Sequence, residues 1–186
     1  VATAGRPQRL AIHRDHDVAR LESSLLRRAA RTHAHDFDAV IAERARRNET
    51  GAAAREHFSR CAKSLVLSGP PSEAQGDRAL GLTLELVAER NPYALRPGQD
   101  LPVRLTFRNR PLAGVLVVAI NSLDPSRKQA LRTDHDGRVR FQLRPGGLWL
   151  IKAVHMVEAP ANAEDAQWLS YWASLTFAAA AATSPR

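Results

Sequence analysis

Apolar residues along this chain change period partway through, and the change divides it. From Asp17 to Leu67 they recur at threes and fours. Val18, Leu21, Leu25 and Leu26 fall on one helical face. Phe37, Val40 and Ile41 repeat that spacing, with Asp36 or Asp38 placed to cap a first turn. Asn48-Glu49-Thr50-Gly51 breaks the pattern, and Phe58, Cys61, Ala62 and Leu65 restart it as a third helical stripe. Ser68-Gly69-Pro70-Pro71-Ser72 ends that segment and opens a polar linker.

After the linker the period is two. Leu82, Leu84, Leu86 and Ala88 alternate with Thr83, Glu85 and Val87, and Leu101, Val103, Leu105 and Phe107 alternate with Pro102, Arg104 and Thr106. Leu112 to Asn121 is more continuously apolar, as a central strand would be. Val139, Phe141 and Leu143 face away from Arg138, Arg140 and Gln142, and Leu148 to Val157 and Trp168 to Phe177 read as the last two strands. Turn signals separate them at Pro97-Gly98, Asn109-Arg110-Pro111, Asp136-Gly137 and Pro145-Gly146-Gly147. The prediction is a mostly β protein with a helical amino-terminal region and an antiparallel β-sandwich, prealbumin-like or immunoglobulin-like, of about six or seven strands. Residues 1–67 are the helical, partly disordered region, 68–79 the linker, 80–177 the sandwich domain and 178–186 a disordered tail. Asp134-His135-Asp136-Gly137 reads as a hairpin turn, with a glycine for positive φ and carboxylates to accept backbone N–H groups.

Composition narrows the function classes. The formal charge is +8, yet the signs are intermixed: Val1 to Lys63 carries 13 basic and 8 acidic side chains. Aromatic residues make up 5%, too few to supply stacking platforms for single strands, so nucleic acid is not an expected partner. No apolar run approaches the length of a membrane span. The single cysteine, Cys61, excludes an internal disulfide and a cysteine-built zinc site. Residues 1–26 hold no apolar stretch of the kind a secretory signal needs.

Candidate chemistry is sparse. His155 lies on one strand face with Trp149, Ile151, Ala153 and Val157, as a metal ligand at a sandwich rim or as a hydrogen-bonded core group; the core reading weighs more. Met156 points the other way and cannot share its ion. His13, His16, His33 and His35, beside Asp15, Asp17, Asp36 and Asp38, form a second set of imidazoles and carboxylates suited to a divalent transition metal, of which His33 and His35 are the ligand candidates. His57 and Cys61 could form a base and nucleophile if a helix brought them together. Asp134, His135 and Asp136 could clamp a cation, although the turn already accounts for the carboxylates. Trp168, Tyr171 and Trp172 could present an aromatic platform for a sugar or partner.

Several stretches carry a resemblance: Ala42 to Gly51, Phe58 to Lys63, Asn91-Pro92-Tyr93, Arg110 to Gly114, Asp136 to Phe141, Trp149 to Met156 and Ser170 to Phe177. Across residues 38–177 the chain resembles the bacterial family known as domain of unknown function 4198, whose members are described as nickel-uptake-associated or periplasmic. The resemblance implies export to the periplasm, a β-sandwich carboxyl half and no established reaction. Nickel or cobalt is the metal it implies, and a metal-transport system or another periplasmic protein the partner. Members carry a signal peptide and an earlier β-rich half opening near a His-Asp-Phe-Trp run; here His35-Asp36-Phe37 is followed by Asp38, and a truncated or frameshifted start is expected. The reading is a non-enzymatic periplasmic binding or accessory protein. Its alternative is a structural sandwich whose edge recognises a protein or glycan without metal, and a hydrolase ranks third.

Overall fold

Two β-sheets face one another across a single apolar layer. The computed structural model describes residues 37–74, 76–96, 98–144, 146–163 and 165–179, together with the backbone of 8–21. The larger sheet holds β1 (Gln8–Leu21), β2 (Ala54–Val66), β10 (Trp168–Ala178), β9 (Leu148–Glu158), β6 (Leu116–Asn121) and β7 (Asp124–Arg132), in that spatial order. In the smaller sheet β4 (Asp100–Phe107) pairs with β3 (Leu84–Ala88) and also with β8 (Arg138–Gln142) and the two-residue β5 (Arg110–Pro111). The described helix is α1 (Asp38–Arg46).

The expected β-sandwich is present, and its core follows the two-residue alternation. Leu101, Val103 and Leu105 on β4, Phe141 on β8, Ile151 on β9 and Leu175 on β10 have no exposed surface. Burying each such side chain is worth about 1.5–3 kcal/mol relative to leaving it in water. Leu143 is only partly buried, packed at the margin of this core. The sandwich is not wholly antiparallel, because β10 runs parallel to β2 while pairing antiparallel with β9.

The amino-terminal expectation needs correction. Among the described residues only the Phe37-Val40-Ile41 stripe lies at a helix, and Leu25 and Leu26 lie outside them. Val18 and Leu21 stand in β1, and Phe58 to Leu65 lie in β2. The segment 68–79 therefore joins strands of one sandwich rather than a helical region to a separate domain. Asp136-Gly137 makes the turn that was expected, but its flanking strands are not a hairpin: β7 pairs with β6 in one sheet and β8 with β4 in the other. Gly137 is required there. Its φ is +74°, and a Cβ would lie 2.5 Å from the Leu105 carbonyl oxygen.

Why β2 is a strand is visible at Lys63. Its ammonium, 1% exposed, lies 2.8 Å from the Asp77 carboxylate and 3.1 Å from that of Glu85 on β3. Glu85 also accepts the backbone N–H groups of Leu80, Gly81 and Leu82, and Asp77 that of Ala88. The buried charges are thus paired and hydrogen-bonded together, the condition under which burial is tolerated. They fasten the chain after β2 onto the edge of the smaller sheet.

On the outer face of the larger sheet, α1 lays Phe37 and Val40 over Ala54, Val154 and Trp168. Arg44, 3% exposed, donates to the Glu49 and Ala52 carbonyls and holds the loop that leads into β2. Glu43 is drawn down to about 2 by hydrogen bonds from Arg46 and then Arg47, and Arg47 also reaches Glu158 at the end of β9. The same sheet face carries Glu56, 9% exposed, whose Oε2 has no hydrogen-bond partner. Burial raises its pKa, opposed in part by a hydrogen bond from Ser170.

Two outcomes are expected. Lys63→Met leaves two buried carboxylates without their cation and should cost about 3–5 kcal/mol of stability in urea unfolding; a loss under about 1 kcal/mol would contradict the buried triad. Glu56, with its folded pKa raised, stabilises fully below the unfolded carboxylate value and loses that contribution as pH rises through the folded one. Glu56→Gln should therefore show a higher urea midpoint than wild type at about pH 8, with the two converging by about pH 4.

Candidate functional site

The concavity with the strongest chemical character lies on the open side of the sandwich, where the edge strands β7 and β8 meet. It is a cleft of about 850 Å³ between the β6–β7 hairpin, the β8–β9 loop and the approach to β4. Its walls are fixed by short-range bonds. Asn121 Nδ2 donates to the Gly146 carbonyl at 3.0 Å, while its Oδ1 accepts Leu123 N–H at 2.8 Å. Gly147 sits against Asn121 with φ +77°, where a Cβ would come within 2.7 Å of that Oδ1. Trp149, 2% exposed, closes the base and donates Nε1–H to the Arg144 carbonyl. Gln129 bridges the two sheets: its amide nitrogen donates to the Gln142 carbonyl and its amide oxygen accepts Gln142 N–H.

The Asn121 and Gln129 amides of this lining are thus spent on backbone groups, and its remaining charged residues include three cations. Arg127, Lys128 and Arg144 line the cleft together with one carboxylate, Asp124. That carboxylate already accepts the Ser126 hydroxyl and stands 4.0 Å from Arg144. The charge of Lys128 is felt two strands away, beyond β6. Lys152 on β9 is half-buried, and its pKa is lowered by burial first and by the charge of Lys128 second. Such a cleft can hold an anion or the carboxylates of a larger ligand.

The described residues singled out in the sequence lie outside this cleft. His155 stands on β9 opposite Tyr171 of β10, half-buried. Its ring meets Phe107 edge-on at 4.8 Å between centroids, and Phe107 meets Tyr171 at 5.1 Å. Met156 takes the opposite face and packs toward α1, as the alternation requires. His33 and His35 lie outside the described residues. His13 is opposite Cys61 and Asp15 opposite Ser59 in the β1–β2 ladder, and the register slips at His16 between Asp15 and Asp17. Strand order puts β2 and β10 between β1 and β9, so the Asp15 and His155 backbones are about 14 Å apart at strand spacing. Among the described residues no three His, Cys, Asp or Glu side chains gather as a metal-holding group.

His57 and Cys61 share a strand rather than a helix, which sets them about 13 Å apart along β2. His57 Nε2 instead faces the Asp165 carboxylate at 3.1 Å, and Cys61 is buried at 1% exposure. Asp134 serves its turn: Oδ1 accepts the N–H groups of Asp136 and Arg138, and these bonds, that from Arg138 foremost, lower its pKa. His135 projects outward beside Asp136. Trp168 is 3% exposed beneath α1, and Trp172 lies partly covered beside it with Arg60 over its ring at 5.7 Å. They form part of the second apolar cluster rather than an open platform. The cleft itself was missed because its walls come from segments far apart in sequence; the Arg127-Lys128 pair was its one local trace.

The model of a family described as domain of unknown function (DUF4198) matches residues 6–157, from just before β1 to the end of β9. The chain belongs to this family. The match reaches back well before Asp38, where the resemblance begins, and so takes in β1 as well. No curated protein and no solved structure matches the chain.

Proposed function

We propose that this member of the DUF4198 family is a non-enzymatic binding or accessory protein that takes an anionic ligand in the cleft between β7 and β8. The observation that carries the reading is the charge of that cleft, where Arg127, Lys128 and Arg144 outnumber Asp124 over a rigid, internally bonded wall. A cation cluster in a recess raises the local concentration of oppositely charged partners and speeds their capture. The separation of His57 from Cys61 supports binding over nucleophilic catalysis.

Export to the periplasm and a link to nickel or cobalt uptake belong to the same proposal. Both rest on the family resemblance. For the metal, the supporting residue is His155, which stays partly accessible beside Tyr171 and Phe107. His33 and His35 complete that candidate set.

Two measurements check these readings. A thermal-shift panel of small di- and tricarboxylates and sulfated sugars should raise the Tm of wild type, and Arg127→Glu with Lys128→Glu should remove the effect; a panel without any shift removes the anionic-ligand reading. Calorimetric titration with nickel, cobalt and zinc on wild type and His155→Ala tests the metal link. Saturable heat lost in the variant supports it, and no heat for any ion eliminates it.

A further inference from the structure

The strand that borders the cleft is also the unpaired edge of the larger sheet. β7 bonds to β6 along one side, and no described strand lies along the other. Its nine residues are almost all exposed, from Pro125 through Lys128 and again from Ala130 to Arg132. A row of ladder groups in solvent is a template for another strand. Pro125 lacks an N–H, but it stands next to the first residue, within the stretch where the ladder with β6 shifts register, and the ladder is regular from Gln129 to Arg132.

Charge decides what can lie there. Arg127 and Lys128 stand on the strand and Arg144 across the cleft from it; Arg132 is engaged by the Gly114 carbonyl and Asp38, and Asp124 by Ser126, 4.0 Å from Arg144. A second copy of β7 would set these cations against their own kind, so self-pairing is opposed. An extended chain bearing carboxylates meets the opposite situation. The Gln129–Gln142 bridge matters here too, because it satisfies the β8 edge at Gln142 with a side-chain amide.

We infer that the free edge of β7 receives an extended acidic segment of a partner protein, which adds a strand to the larger sheet while its carboxylates meet Arg127, Lys128 and Arg144. This deepens the anionic-ligand reading of the same cleft and rests on it. Backbone pairing supplies affinity and the cations supply selection.

The test is fluorescence anisotropy with the full chain and four labelled probes: a peptide alternating glutamate and valine and as long as β7, the same peptide N-methylated at alternate residues, a lysine–valine counterpart, and a single-stranded oligonucleotide of equal charge. The glutamate peptide should bind, the lysine peptide should not, and N-methylation should weaken binding at least about tenfold by removing ladder donors. Arg127→Glu with Lys128→Glu should abolish binding, with an unchanged Tm showing that the fold persists. Equal binding of the methylated peptide overturns strand addition and leaves the anionic-ligand reading intact. Preference for the oligonucleotide overturns the inference in favour of a nucleic acid. Binding of small anions in the thermal-shift panel without binding of the glutamate peptide sinks this inference alone, and failure of both sinks the two together.

Discussion

Lys63 holds the sandwich shut on one side. Its ammonium draws Asp77 and Glu85 into the interior, and the backbone N–H groups of residues 80–82 and 88 close around the two carboxylates. Because these charges are buried with their partners, separating the two edges would strand one or the other without compensation. The bond network therefore fixes how β2, the 77–82 segment and β3 stack, and with them the offset of one sheet on the other. β3 lies over β10 and β9 on that side, and β8 comes beside β7 on the far side.

The two sides of the molecule are chemically unlike as a result. Where β2 meets β3, charge is neutralised in a dry interior. Where β7 meets β8, a single amide bridge spans the gap and the cations stay in solvent. Charges of one sign at an open edge protect against indiscriminate pairing and, by the same physics, select for a partner of opposite sign. The outer face of the larger sheet has a different cover. There α1 shields Trp168 and Val154, so the aromatic residues near the end of the chain serve packing.

Legibility tracked how far side-chain pattern reflected burial. β4, β8, β9 and β10 were plain because one face of each is apolar, and Leu101, Val103 and Leu105 alternate without interruption. β2 was hidden because its buried positions include Ser59 and Lys63 as well as Cys61 and Leu65. Polar residues at inner positions erased the alternation, and Phe58, Cys61, Ala62 and Leu65 then imitated a helical stripe. β7 left no apolar signal, since an exposed edge strand has no face to bury. The helical spacing that joined His57 to Cys61 failed with the helix itself.

What the sequence determined by itself was the sandwich: alternation, turn glycines such as Gly137 and a short helix at Phe37–Ile41 depend on neighbours in the chain. The tertiary structure decided which buried lysine finds which carboxylates, that β2 runs parallel to β10, and that Arg127, Lys128 and Arg144 share one opening. Those are meetings of segments that lie apart in the chain. No local period encodes them, because they arise only when two sheets are laid face to face and their edges are either closed or left open.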